Sequence, residues 1–276
     1  MVSAFQKNNE RYSTTPRAVE HIHATAIVDP CAQVSPSATI GPYAIVGPDV
    51  VLENRVVIGA HAVLEGHLVL EDDVQVSPFV CIGQPPQDQK CRGEGTGVHI
   101  GPRTIIREFT TINRGTLYDT RCTRVGADGL IMAYCHLAHD VVLGDRVVLS
   151  NHTTLAGHVK AEDEVTCGGN TAVHQHCRLG RGCFVAAGAM VERDVPPFCR
   201  VFGDRAKLVG PNLRGLRRIG LAESRIRAVK NAYKELFRTT STLEDTLRVV
   251  TSKWPDSEEV RHLIEFIRAS ERGICR

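Results

Sequence analysis

The sequence predicts a mainly β protein, a parallel β-helix of six-residue repeats followed by a small α-helical domain. Three observations carry this. Aliphatic residues recur at every sixth position over most of the chain, the register breaks twice at loop-like segments, and helical periodicity begins only after the paired Pro196 and Pro197.

The first run comprises Ile22, Val28, Val34, Ile40, Val46, Leu52, Ile58, Leu64, Leu70, Val76 and Ile82. Ile100, Ile106 and Ile112 follow a first break, and after a second the pattern holds at every sixth position from Val125 to Val191. The second place is usually Gly, Ala, Ser, Asp or Glu, and the fifth is small or β-branched, as in IGPYAI, IGAHAV and LGDRVV. Neither helical nor simple strand periodicity produces this. A six-residue unit suits a short strand and a tight corner, and three such units close a triangular coil whose neighbours stack about 4.8 Å apart. The aliphatic side chains then fill the prism. The fourth place falls at an exposed, solvated corner, where polar residues such as His61, His67 and His152 are simply tolerated.

The breaks, residues 84–97 and about 116–124, are rich in turn formers or polar residues and are expected as loops that carry binding groups. Residues 1–20 are polar, lack a secretory apolar run, and are expected as a flexible N-terminal extension. The β-helix is expected over 21–196 and the helical domain over 197–276. In the latter, Ile226, Val229, Ala232, Tyr233 and Leu236 share a helix face, a second helix starts near Leu243, and PDSEEVRHLIEFI opens a third with a capping signature. This domain is expected to cap the open end of the prism.

A formal net charge of +2 and ordinary apolar content argue against a nucleic-acid partner or a charge-driven membrane surface, and no run reaches the roughly 18 apolar residues of an integral membrane segment. Ten cysteines contain no C-x-x-C spacing, and several occupy inward repeat positions. They read as free thiols in a reducing cytoplasm.

Register turns sequence distance into space. His139 is the third residue of the hexad at Leu137 and His158 the fourth of the hexad at Leu155, one coil later on the same wall. Asp140, His158 and His176 share the fourth place at intervals of 18 and form a vertical ladder. A His followed by Asp, with a second His one coil away, is the pattern of a general base with polar neighbours. Imidazoles on adjacent coils also allow a zinc site of the γ-carbonic-anhydrase kind, although the spacing does not reproduce that ligand set.

Together IGQPPQDQK, TTINRGT, LIMAYCHLAHD, NHTTLAGHV, GGNTAVHQ and VKNAYKELFR resemble the UDP-N-acetylglucosamine acyltransferases of lipid A biosynthesis, from His21 to the end of the chain. The resemblance implies a left-handed helix and a homotrimer with clefts between prisms. It also implies transfer of an R-3-hydroxyacyl group from acyl carrier protein to the sugar 3-hydroxyl of a UDP-sugar substrate, without cofactor or metal. Carried over, His139 is the general base, Asp140 its support, and Gly157 the donor of an oxyanion N–H. Gln87, Asp88, Lys90 and His136 hold the sugar and phosphate region. His158, His174 and Gln175 continue the cleft toward acyl chain and nucleotide, and Asn212 and Arg218 are candidates for the diphosphate.

The chain departs from the family at three positions and in one loop. Ile219 stands where a second Arg is common, Arg214 where an acid is common, and Ala187 where Gly is common at the end of the acyl tunnel. The second loop also lacks the family's glycine run. Arg178, Arg181, Arg217 and Lys230 are candidates for receiving the acidic carrier protein. Two other readings stay open at this level: N-acylation of a 3-amino-sugar nucleotide on the same fold, and a trimeric scaffold without catalysis.

Overall fold

In a computed structural model that describes residues 21–91 and 95–276, the chain forms a left-handed parallel β-helix with an α-helical end. The expected N-terminal extension lies outside the described residues, as do residues 92–94 of the first loop. Strands of mostly two residues build three walls of nine, eight and ten strands. Pairings such as Ile27↔Ile45, Gln33↔Val51 and Thr39↔Val57 set the 18-residue coil, and Ile82↔Ile112 and Val98↔Thr123 carry it past the insertions.

The aliphatic first place and the small fifth place together fill the prism. Ile40, Leu64, Ile106, Leu137 and Leu155 are fully buried, and so are Ala44, Val74, Val147 and Val165 at fifth places. Each buried Leu or Ile stabilises the fold by roughly 1.5–3 kcal/mol relative to exposure. Ile22 is 43% exposed and Val28 and Val34 are half-buried, because among the described residues the first coils have no neighbour below them. Cys135, Cys167, Cys177 and Cys183 are free thiols inside the prism, and burial raises Cys135 and Cys177 to about 11. They pack as small apolar residues.

The corners depart most from expectation. Left-handed backbone with φ between 56° and 64° occurs at 18 non-glycine positions among the described residues, most of them fourth places. This conformation costs roughly 1–2 kcal/mol per residue. It also turns the corner N–H along the stack, where it donates to the third-place carbonyl of the coil before, as in His152 N to Ala133 O and His158 N to His139 O, each 3.1 Å.

Each corner also carries its own side-chain ladder. Between the ten- and nine-stranded walls, Tyr43, His61, Phe79, Phe109, Tyr134 and His152 stack with ring centroids 4.9–5.1 Å apart. His61 and His152 are therefore members of a ring stack rather than tolerated polar residues, while His67 lies 3.9 Å from Asp49. Between the eight- and ten-stranded walls, Arg55 pairs with Asp73, Arg103 with Asp128, and Arg146 with Glu164. The third corner bears Asp140.

Beyond residue 196 the expected helical domain begins with strands. Cys199–Phe202 extends the ten-stranded wall and pairs antiparallel with Lys207–Pro211. Helices α1 (Leu213–Arg218), α2 (Glu223–Phe237), α3 (Leu243–Lys253) and α4 (Glu258–Arg268) follow. Asn212, Thr242 and Ser257 cap α1, α3 and α4 through side-chain oxygens. Val229, Ala232, Val250, Leu263 and Ile264 form the interior of this unit. It fastens to the prism through His262 and Glu162 at 2.6 Å, and through Arg178 over the Phe266 ring at 4.3 Å. No described helix is long and apolar enough to cross a membrane.

Candidate active site

The corner between the nine- and eight-stranded walls stacks two columns of residues. His139, Gly157 and Gln175 occupy the third place of successive coils, and Asp140, His158 and His176 the fourth. The strand His136–Leu137 leads into the first of these turns and Val142–Leu143 leaves it, so the backbone ladder fixes the position of His139. Gly157 lies directly against the imidazole. A Cβ there would stand 2.6 Å from His139 Cε1 and 2.7 Å from Nε2, a separation no packed side chain tolerates. No acceptor among the described residues takes the Gly157 N–H, while its carbonyl accepts from His176 N at 3.1 Å.

Asp140 is fully buried, contrary to the solvated ladder expected from its corner position. The second loop closes over it. Thr116 N donates to Oδ1 at 2.9 Å, Thr116 Oγ1 to Oδ2 at 2.5 Å, Thr120 Oγ1 to Oδ1 at 2.9 Å, and His139 Nδ1 lies 3.0 Å from Oδ2. Burial opposes ionisation of Asp140, but the hydrogen bonds from His139, Thr116 and Thr120 outweigh it and hold the pKa down to about 2. Contact between His139 and Asp140, which adjacency in sequence alone does not establish, is thus direct. It leaves His139 Nε2 for a ligand.

That depressed pKa has a consequence for folding. A carboxylate whose folded pKa lies below its unfolded value contributes stability that is complete above the unfolded pKa, near 4, and is lost as pH falls through the folded one. From the ordinary 3.8 to about 2 the contribution is roughly 2 kcal/mol. Thermal denaturation followed from pH 5 downward is expected to show this loss between about pH 4 and 2 in the wild type and not in Asp140→Asn.

His158 stands edge-on to His139 at 4.8 Å between ring centroids and stacks on His176 at 4.3 Å. A cleft of about 900 Å³ opens in front of His139, lined by Asp88 and Lys90 of the first loop, Tyr118 and Asp119 of the second, His158 and Gln175, and Arg272 from beyond α4. Tyr118 OH donates to Asp88, which ties the two loops together. This bond, with partial burial behind it, raises the phenol to about 12. The second loop ends at Arg121, since Cys122–Val125 is already a strand, somewhat earlier than the expected limit near 124.

The remaining expected residues divide. His136 is half-buried on the nine-stranded wall, outside the cleft lining and 2.8 Å from Thr111 Oγ1, and burial followed by the neighbouring charge of His139 lowers its pKa. Gln87 is exposed and outside the cleft lining. His174 stands at the rim, 3.2 Å from Arg272 Nη2. Ala187 is an exposed corner residue outside both cavities described here.

Asn212 and Arg218 line a second cavity of about 640 Å³ on the far end of the ten-stranded wall, together with Arg200, Arg214 and Arg217. Asn212 is buried and committed locally, accepting from Gly215 N at 3.1 Å and donating to Gly182 O at 3.0 Å. Ile219 packs with Phe198 and Leu216, so Arg214 rather than residue 219 accompanies Arg218 in that cavity. Of the carrier-protein candidates, Arg178 donates to Ala269 O at 3.1 Å, Arg181 pairs with Glu164 and Arg217 with Glu223.

Sequence reasoning missed Thr116, Tyr118, Asp119, Thr120 and Arg272. The register break marked their loop, but the loop itself has no periodicity to assign them partners.

His139, Asp140 and His158 are the one group among the described residues whose possible metal-binding atoms lie within 4.8 Å of one another. The lone pairs of Asp140 are taken up by the protein donors named above. What remains is a tautomer-fixed imidazole, a free backbone N–H beside it and a polar cleft, the equipment for acyl transfer to a hydroxyl. Replacing Gly157 by Ala displaces the His139 ring, and a misplacement near 1 Å is expected to lower kcat about 100-fold with circular dichroism unchanged.

Comparison with known proteins agrees. The family model described as Udp N-acetylglucosamine O-acyltransferase, domain 2, matches residues 194–275. The acyl-[acyl-carrier-protein]--UDP-N-acetylglucosamine O-acyltransferase of Janthinobacterium sp. (strain Marseille) is 51% identical over 259 residues, covering 92% of this chain and 99% of that protein. The protein of the same description from Herminiimonas arsenicoxydans is 48% identical over the same shares. Among solved structures, the UDP-N-acetylglucosamine acyltransferase from Campylobacter jejuni is similar with a TM-score of 0.87 at 36% identity, covering 92% of this chain and 98% of that one. The Arabidopsis UDP-N-acetylglucosamine acyltransferase gives 0.80 at 32% identity, covering 92% and 100%.

Proposed function

This chain belongs to the UDP-N-acetylglucosamine O-acyltransferase family, and on that premise we propose that it moves an R-3-hydroxyacyl group from acyl carrier protein to the 3-hydroxyl of UDP-N-acetylglucosamine, the first step of lipid A biosynthesis. The observation that carries the reading is the His139–Asp140 pair at 3.0 Å, set over Gly157 in the cleft between the two loops.

An alcohol is a weak nucleophile near neutrality, and a base that removes its proton as it attacks supplies the missing reactivity. His139 Nε2 takes the 3-hydroxyl proton while that oxygen forms a bond to the thioester carbonyl carbon. The carbonyl oxygen becomes an oxyanion, for which the Gly157 N–H is the donor. Collapse breaks the carbon–sulfur bond, and the leaving thiolate receives the proton from His139. Asp140 supports the imidazolium between these events.

Asp88 and Lys90 fit the sugar and phosphate end, since the first loop places them across the cleft from His139. His158 and Gln175 extend toward the acyl end. His136, Gln87 and His174 act from outside the cleft lining, and Ala187, where Gly is common, shortens an acyl groove that continues beyond this cleft along the prism.

The arginine cavity is the diphosphate site, and it is completed by a neighbouring protomer. Tyr43, Phe79, Phe109 and Tyr134 of the ring stack are exposed, as are Ile27, Ile45 and Met190 on the nine-stranded wall. A homotrimer with the ring corner toward its axis covers this apolar surface. It sets the nine-stranded wall of one protomer against the ten-stranded wall of the next, and so one protomer's His139 cleft toward its neighbour's Arg218.

The experiment is to supply the purified protein with R-3-hydroxyacyl carrier protein and either UDP-N-acetylglucosamine or its 3-amino analogue, and to identify products by mass spectrometry. Ester formation on the hydroxyl sugar is expected. Product from the amine alone overturns the acceptor assignment, and no product from either overturns the transferase reading.

A further inference from the structure

We propose that Asp119 is a positioning residue: its carboxylate holds the His158 imidazole in the Nδ1–H form, so that a second ring nitrogen, Nε2 of His158, faces the cleft as a hydrogen-bond acceptor for a substrate hydroxyl.

Asp119 Oδ2 lies 2.5 Å from His158 Nδ1, and both residues line the cleft of His139. The His158 side chain is only 10% exposed, its plane set by His176 stacked at 4.3 Å and the edge of His139 at 4.8 Å. A ring confined in this way can still exchange its proton between nitrogens, and what decides is the partner each nitrogen meets. Asp140 does not serve. Its Oδ2 is 3.9 Å from His158 Nδ1 and already accepts from Thr116 and His139. Asp119 is the carboxylate within reach.

The loop is built to deliver it. Thr116 and Thr120 fasten to Asp140, Tyr118 to Asp88, and Asp119 to His158, so alternate and neighbouring residues of one short segment each lock onto a different part of the site. Held at both sides by these bonds, the Asp119 carboxylate is placed without His158 having to order it. The arrangement repeats the His139–Asp140 relation one coil further along the prism: carboxylate at Nδ1, free Nε2 toward the cleft. The two imidazoles are then held in the same form, one as base and one as acceptor for a hydroxyl that positions the substrate.

The test combines a spectrum and a rate. The protein is labelled with ¹⁵N-histidine, His158 is assigned with a His158→Gln variant, and the tautomer is read at alkaline pH, where imidazoles are neutral. This arm needs no substrate and stands whether or not the transferase reading does; the kinetic arm rests on that reading. The wild type is expected to show Nδ1–H at His158. In Asp119→Ala the Nε2–H form should prevail, with kcat/KM about tenfold lower, and Asp119→Asn, whose amide oxygen still accepts from Nδ1–H, should restore both. Asp119 sits on a partly exposed loop, and the wild-type spectrum is decisive by itself if a variant misfolds. Nε2–H in the wild type, an unchanged tautomer in Asp119→Ala, or an Asp119→Asn variant as impaired as Asp119→Ala overturns the proposal.

Discussion

Replacing His139 by Ala is expected to lower kcat/KM by about 10²–10⁴-fold and to leave the fold and assembly as they are. The residue sits at a third place, on a turn, and contributes nothing to the prism interior, which first and fifth places fill. Its ring, largely covered but lining the cleft, lies against a glycine, so the space left by its removal opens onto the cleft rather than into the prism. The loss should therefore fall mainly on the rate, with circular dichroism and size-exclusion profile as in the wild type and a melting temperature lowered modestly because buried Asp140 loses one donor. Steady-state kinetics with both substrates saturating separates the chemical step from binding. Near-normal turnover in this variant removes His139 as the base.

Asp140→Asn is expected to cost a comparable or larger factor, for a different reason. Every neighbour that approaches Asp140 donates: the Thr116 N–H, the hydroxyls of Thr116 and Thr120, and His139 Nδ1–H. An amide offers one acceptor atom and one donor group to this set. If its NH2 faces His139, that imidazole must accept at Nδ1 and carry its proton at Nε2, the wrong form for a base. If the NH2 faces Thr116, two donors oppose each other in a buried site, at a cost of about 1–3 kcal/mol. Either orientation is harmful, and a loss of about 10³–10⁴-fold in kcat is expected by analogy with an aspartate-to-asparagine change in other carboxylate–imidazole pairs. The rate of a single turnover measures it.

Much of the fold was legible because each hexad states its own role. Ile40, Leu64 and Leu137 recur in register and are buried for the reason that makes them recur. The site was legible to the extent that it follows the same ruler, which puts His139, Gly157 and Gln175 in one column. Asp140 escaped correct placement because many fourth-place residues, such as Tyr43, Arg103 and His152, are exposed; its burial depends on a loop that leaves the prism and returns. Tyr118 and Asp119 were not legible at all, since their partners Asp88 and His158 are 30 and 39 positions away and no period relates them. The ring stack of Tyr43 to His152 was hidden differently. Its members share a corner at regular spacing, but Tyr, His and Phe differ in polarity and do not read as one feature until they are stacked. Asn212 shows the opposite limit: its place in the family pattern suggests a ligand, and local geometry engages its amide in a helix cap.

The claim on which the rest depends is that Asp140 holds His139 with its proton on Nδ1 and Nε2 free for the substrate hydroxyl. The ¹⁵N spectrum of His139 at alkaline pH tests it most directly. The account predicts the Nδ1–H form in the wild type and its loss in Asp140→Asn; the Nε2–H form in the wild type would contradict it.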